Sequence, residues 1–293
     1  MAGPNRRKTK GDASVRRRKQ AARKERAAPD AGAGAPPAAE RPEPQGPVRL
    51  NKAIARSGAA SRREADAMIE AGRVRVNGEV VTELGVRVGP ADRVEVDGQP
   101  ITPSDLVYVL LNKPTDTITT VSDDRGRRTV LDLVDVPAAE RSALFPVGRL
   151  DRDTTGALLL TTDGDLAHRL MHPRYGAEKL YVVRADAPLS HEDVEALRRG
   201  VDLDDGPAAA DNAAFVGKDR RTVALQLHEG RNRQVRRMIE AVGRRVESLD
   251  RIGYAGLTLD GLRRGRWRRL QPHEVNALRR SVKLKPIVFG DGG

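Results

Sequence analysis

Two short apolar runs constrain the fold of this chain more than any other feature. Val107-Tyr108-Val109-Leu110-Leu111 is followed by Lys113-Pro114, and Ala157-Leu158-Leu159-Leu160 is preceded by Thr154-Thr155-Gly156. Unbroken apolar runs of this length, bounded by turn residues, are strands covered on both faces. The segments 178–186 and 221–230 alternate instead, as half-buried strands do, and 245–259 returns as strand. A further apolar segment lies at 128–134. Helices are expected between the strands. The segment 165–173 places Leu166, Leu170 and Met171 inward and ends before Pro173. Over 190–200, Ser190 is the N-cap and Asp193 lies three residues on, the capping-box spacing. Over 232–243, Val235, Met238, Ile239 and Val242 share one face and Gly243 closes the helix. A last helix spans 271–282. Strands and helices mix without strict alternation, which predicts an α+β domain over 106–282 with a mostly antiparallel sheet and flanking helices. Residues 283–293 are expected to be a C-terminal tail.

A smaller unit precedes it, over 48–105. "RLNKAIARSG" reads as a short helix closed by Gly58. "SRREADAMIEAG" reads as a second, with a capping box of Ser61 and Glu64, a buried stripe of Ala65, Met68 and Ile69, and Gly72 as its stop. Asn77-Gly78 and Asp97-Gly98 then mark two hairpins. This helix–helix–hairpin unit carries Arg49, Lys52, Arg56, Arg62, Arg63, Arg73 and Arg75, a stripe suited to phosphate contacts.

Residues 1–27 hold eleven Lys or Arg against Asp12 and Glu25, a local net charge of +9, with almost nothing apolar to bury. Residues 28–47 form a Pro/Ala-rich linker. Residues 1–47 are therefore expected to be a disordered basic tail and linker, acting either as a polyelectrolyte arm or as a solubility tail. The whole chain has a net charge of +12, which points to a polyanionic partner, nucleic acid first. Cysteine is absent, so disulfides, thiolate nucleophiles and cysteine-held zinc are excluded. No apolar run approaches the roughly 20 residues of a membrane helix. No apolar segment follows the basic N-terminus as a secretory signal requires. A cytoplasmic protein without membrane contact is expected.

Few residues qualify for chemistry. His168 and His172 have the spacing of a metal pair, but no third ligand accompanies them. Phosphate-binding glycine loops and a serine nucleophile elbow are absent. Asp151 stands out, set between Arg149 and Arg152 in "FPVGRLDRDTTGALLLTTDGD", at a tight loop between two strands. It is either a surface ion pair or a carboxylate held in a basic cleft.

The 49–81 segment, from a leucine-bearing first helix through "SRREA" to "GRVRVNG", resembles the alpha-L RNA-binding domain named after a protein of the small ribosomal subunit. "GRLDRDTTGALLLTTDGDLAHRLMHP", "EKLYVV" and "LHEGRNRQVRRMIEAVG" together resemble the bacterial ribosomal RNA pseudouridine synthases of the RsuA/RluB type. "GVDLDDGPAAA" further resembles the large-subunit branch. That resemblance implies the pseudouridine synthase fold and the isomerisation of uridine in ribosomal RNA, naked or in an assembling subunit. It implies Asp151 as the catalytic carboxylate, Tyr181 stacked on the target uracil and Arg236 paired with Asp151. Arg149 would fill the gap left by the flipped base, and Arg231 and Arg233 would contact RNA. One departure is Asp116, where the resemblance expects glycine. The chemistry agrees with the family reading. Isomerisation breaks C1′–N1 and joins C1′ to C5, which calls for an ionised carboxylate near an electron-poor C1′ and a base taken out of its stack. It involves neither redox nor hydrolysis, so no metal and no cofactor are expected, and a monomer suffices. An RNA-binding protein without catalysis and a glycosylase releasing uracil are the competing readings.

Overall fold

The computed structural model describes residues 46–289. The basic segment 1–27 and nearly all of the linker lie outside the described residues.

The first unit forms as its caps and turns dictate. β1 (Val48–Arg49) leads into α1 (Leu50–Ser57), which ends at Gly58 in the left-handed conformation. α2 (Arg62–Glu70) begins with the reciprocal Ser61–Glu64 capping box. β2 (Val74–Val76) and β3 (Glu79–Val81) turn through Asn77-Gly78, both with positive φ (54° and 88°). β4 (Arg87–Val88) pairs with β1. β5 (Val94–Val96) and β6 (Gln99–Pro100) turn through Asp97-Gly98 (51° and 76°). Two positive φ values in a two-residue loop match the twist of the flanking strands. Leu50, Ile54, Ala65, Ile69, Val74, Val88, Val94 and Val96 close one core. Met68 is packed at its edge.

The second unit is built on a nine-stranded sheet. Its strands are β7 (Tyr108–Lys113), β8 (Phe145–Pro146), β9 (Thr155–Thr161), β10 (Lys179–Ala185), β13 (Asn212–Phe215), β14 (Thr222–Leu227), β15 (Val246–Tyr254), β16 (Leu257–Thr258) and β17 (Trp267–Arg269). The order is β13-β14-β10-β15-β9-β7-β17, with β16 on β15 and β8 on β9. A separate hairpin of β11 (Val201–Leu203) and β12 (Gly206–Ala208) stands off the sheet. All sheet pairings are antiparallel except β15 with β9, which is parallel at Asp250↔Thr155 and Arg251↔Gly156. The expected α+β class with a mostly antiparallel sheet is what the chain adopts.

The two apolar runs are the centre of this sheet, and their alternate residues feed different cores. Tyr108, Leu110, Ala157 and Leu159 pack with Leu166, Leu170, Val275 and Leu278. These come from α4 (Gly164–Met171) and α7 (Pro272–Ser281). Val109, Leu111, Leu158 and Leu160 point the other way, onto Val130, Leu133 and Trp267. A third cluster joins β10 and β14 to α5 (His191–Arg199) and α6 (Gln234–Ala241).

Some details differ from expectation. Met171 is 49% exposed, because Leu166, Ala167 and Leu170 already fill the inward stripe of α4. Its sulfur instead accepts a bond from the Gly148 amide at 3.1 Å. Residues 283–289 are not a free tail: Ile287 is buried in the core and exchanges two hydrogen bonds with Asn276. α3 (Ala138–Ala143), β13 and the β11–β12 hairpin had no clear periodicity in the sequence.

The two units are joined by charge. Lys52 and Arg56 of α1 both reach Asp165 at the start of α4, at 2.5 and 2.8 Å.

Candidate active site

The loop between β8 and β9 carries Asp151, and a cradle from the end of β7 immobilises it. Lys113 is fully buried, and its ammonium donates to the carbonyls of Asp151 (2.9 Å), Thr154 (2.8 Å), Pro114 (3.2 Å) and Arg152 (3.3 Å). Burial pushes its pKa down to about 8, against the opposing pull of the Asp153 and Asp151 carboxylates. Thr119 clamps the residue before Asp151: its hydroxyl donates to Leu150 O (2.7 Å) and accepts from Leu150 N (3.2 Å). The Asp116 amide donates to Arg152 O at 2.9 Å. Asp116 sits at φ +59°, which explains why glycine suits this position and why aspartate, tolerant of that region, replaces it. Gly156 anchors the other end, at φ +110°, where a Cβ would stand 2.2 Å from Arg251 O.

Across from this loop, β10 and the segment before α6 complete a cavity of about 250 Å³. Asp151, Tyr181, Arg149, Arg233, Asn232 and Leu249 are among its lining residues. Tyr181 is half-buried, one part of it packed on the β10–β14–α6 core and another facing the cavity. The Asp151 carboxylate is 40% exposed and lies 3.7 Å from Arg233 Nη1. Arg233 holds the left-handed conformation (φ 46°, ψ 30°) just before α6. This is a sparsely populated region for a residue with a Cβ, and it turns the side chain toward Asp151. A carboxylate, an aromatic ring and cations around a space of this size suit a flipped nucleobase.

Arg236 does not pair with Asp151 as expected. It lies on the buried side of α6, 6% exposed, with Nη2 2.8 Å from Asp153 Oδ2 and 3.4 Å from Thr154 Oγ1. It lies three positions beyond Arg233, and the two guanidinium groups meet different carboxylates of the same loop, Asp153 and Asp151. The cations expected to contact RNA divide into two groups. Lys52 and Arg56 are held by Asp165, Arg73 is paired bidentately with Asp97 (2.8 and 2.6 Å), and Arg231 is bound to Glu229, Asp205 and the carbonyls of Gly206 and Pro207. Nearby carboxylates and carbonyls of the protein itself meet these charges. Arg49, Arg63 and Arg149 are exposed without a side-chain partner among the described residues, Arg62 makes only a 3.4 Å contact to Asn51, and Arg233 stays open at the cavity mouth. His168 and His172 contact each other edge-on, and no group of three metal-ligating side chains occurs among the described residues.

Sequence reasoning missed Lys113, the pairing of Asp153 with Arg236, and the Glu229–Gln234 pair, whose carboxylate and amide meet at 2.5 Å. A lysine closing an otherwise apolar strand was a usable signal for the first. No signal marked the other two.

Two family models match the chain: RNA pseudouridylate synthase over residues 107–241 and the S4 domain over 48–94. The ribosomal large subunit pseudouridine synthase B of Bacillus subtilis is 46% identical over 236 residues, spanning 79% of this chain and 95% of that protein. The protein of the same name from Vibrio cholerae is 41% identical over 247 residues, spanning 81% and 76%. Among solved structures, one described as a pseudouridylate synthase superposes with a TM-score of 0.57 at 31% identity, over 79% of this chain and 99% of that one.

Proposed function

The chain belongs to the RNA pseudouridylate synthase family, and we propose that it isomerises uridine in large-subunit ribosomal RNA with Asp151 as nucleophile. The observation that carries this reading is the cavity shared by the Asp151 carboxylate, the Tyr181 ring and the Arg233 guanidinium. The target base leaves its stack and lies against Tyr181, as flipped bases do on aromatic side chains. Asp151 attacks C1′ of the ribose, and the C1′–N1 bond breaks with its electron pair going to the uracil. The detached base turns in the cavity and presents C5 to C1′. The C1′–C5 bond forms, the bond to Asp151 breaks, C5 loses its proton and N1 gains one. Product and substrate have the same atoms, so the reaction is balanced without a co-reactant. The basic surroundings hold the phosphates on either side of the target nucleotide.

The unit over residues 48–105, which the S4 domain model matches over 48–94, binds the RNA beyond the reacting nucleotide, through Arg49, Arg62 and Arg63. Arg149 enters the gap left by the flipped base. Residues 106–289 form the catalytic unit, which works as a monomer in the cytoplasm. No helix of the described residues is long and apolar enough to cross a membrane.

The test is pseudouridine mapping in ribosomal RNA from a deletion strain complemented with wild type or Asp151→Asn. The variant is expected to form no pseudouridine while binding RNA nearly as tightly as wild type. Wild-type activity in the variant refutes the assignment. Free uracil in place of pseudouridine points to glycosylase chemistry instead.

A further inference from the structure

The wall of the cavity formed by residues 229–233 is held by a network that reaches outside the site. Glu229 accepts from Arg231 Nε (3.2 Å) and from the Gln234 amide (2.5 Å). Gln234, 4% exposed, accepts in turn from the Arg231 backbone amide (3.0 Å). Arg231 donates to Gly206 O (2.9 Å) and Pro207 O (2.6 Å) in the β11–β12 hairpin. Lys179 ties down His228 O at 3.1 Å. Asp205, at the hairpin turn, joins the two cations that flank Arg233. It takes both ends of the Arg237 fork, at 2.9 and 3.0 Å, and lies 3.4 Å from Arg231 Nη1. The Arg237 hydrogen bond, more than any other cause, keeps the Asp205 carboxyl below the usual carboxylate range.

The hairpin is poorly suited to touching RNA. Asp202, Asp204 and Asp205 are all exposed on it, and a polyanion is repelled by such a surface. The hairpin adds no strand to the main sheet either. Its polar contacts are directed to Arg231 and Arg237, on either side of the strained Arg233. A left-handed residue with a side chain persists only where its surroundings hold it.

We propose that Asp205 is a positioning residue for uridine isomerisation: it holds Arg231 and Arg237 and so keeps Arg233 facing Asp151. This rests on the reading of Asp151 as the nucleophile. The β11–β12 hairpin is then a brace for the cavity wall and not an RNA-binding element.

The experiment is Asp205→Asn in the full chain, assayed under single turnover at saturating ribosomal RNA transcript, with RNA affinity measured separately. The rate is expected to fall roughly 10- to 100-fold, the scale of an ångström-sized misplacement of a reacting group. RNA affinity is expected to stay close to wild type. Asp205→Glu should recover part of the rate, since it keeps the charge. Arg231→Lys, a milder change that loses the fork to Gly206 and Pro207, should show the same split between rate and affinity. An unchanged rate with a lowered melting temperature overturns the proposal, because the brace is then structural only. Weakened affinity with an unchanged saturated rate overturns it too, because the hairpin then contacts RNA. Asp151→Asn is run alongside. If that variant keeps full activity, the nucleophile reading fails. If it is inactive and Asp205→Asn runs at wild-type rate, only the present inference fails.

Discussion

Gly156→Ala tests the joint on which the site is assembled. Gly156 stands opposite Arg251 where β9 and β15 run parallel, at φ +110°. A Cβ there would lie 2.2 Å from Arg251 O, 2.6 Å from Asp250 Oδ1 and 2.7 Å from Arg251 N. Two of these are backbone atoms and cannot swing aside, so the strands must part by about 1 Å, an overpacking cost of about 1–3 kcal/mol. The backbone conformation adds about 1–2 kcal/mol for a residue with a Cβ. Loss of one or two bridging hydrogen bonds adds about 1 kcal/mol each. The stiffer unfolded chain returns about 0.4–1 kcal/mol. The net expectation is a loss of about 2–7 kcal/mol. Gly98→Ala is the control: φ is +76° but no atom lies within 4 Å of the added Cβ, so only the conformational cost of about 1–2 kcal/mol applies, less the same unfolded-chain term. Urea unfolding of both variants measures the difference. Equal losses would refute the argument, because the close approach would then contribute nothing. The Gly156→Ala protein should also isomerise uridine poorly while folded, since β15 supplies Leu249 to the cavity and Asp250 to Thr155 Oγ1 at 2.9 Å.

The Arg236–Asp153 pair should respond asymmetrically, because the guanidinium is 8% exposed and the carboxylate 57%. Asp153→Ala leaves a buried charge unpaired and is expected to cost about 3 kcal/mol, whereas Arg236→Met leaves a carboxylate that water solvates and should cost about 1 kcal/mol; equal costs in denaturant unfolding would argue against the pairing. Asp165 governs the contact between the two units. Burial raises its pKa, but the Lys52 and Arg56 contacts outweigh burial and hold the carboxyl below the usual carboxylate range. A depressed carboxylate stabilises above its unfolded pKa and loses that contribution as pH falls through the folded one. Asp165→Asn should therefore cost about 1 kcal/mol at about pH 7, the two side chains being partly exposed, and nothing near pH 2. Melting curves at both pH values check this, and a constant difference would contradict it.

Much of the architecture was legible because it follows from short-range rules. The two apolar runs had to be central, and the alternation of their residues between two cores is the reason no position in them is polar. The hairpins at Asn77-Gly78 and Asp97-Gly98 and the capping boxes at Ser61 and Ser190 each depend on neighbours within a few residues. The elements that escaped notice lack such local marks. The β11–β12 hairpin is acidic and short, and its position depends on Arg231 and Arg237, more than twenty residues away in the chain.

The site shows the same division more sharply. The family resemblance implied that Asp151 and Tyr181 meet the same target nucleotide, and both line one cavity. The partner of each arginine was not legible. With 53 Lys and Arg against 41 Asp and Glu, nearly every cation has several carboxylates it could meet, and sequence adjacency ranks none of them. Tertiary geometry does. The left-handed turn at Arg233 sends that residue to the cavity mouth and leaves Arg236 on the buried side of α6, next to Asp153. The excess of charge is therefore of two kinds. Arg56, Arg231, Arg236 and Arg237 are fastened to internal carboxylates and hold the loops in place. Among the cations expected to contact RNA, Arg49, Arg63, Arg149 and Arg233 keep exposed guanidinium groups that can meet a phosphate without first breaking a close internal pair. At 3.7 Å from Asp151, Arg233 belongs partly to both kinds, and the backbone strain at that residue is the cost of placing one cation where it serves the carboxylate and the substrate together.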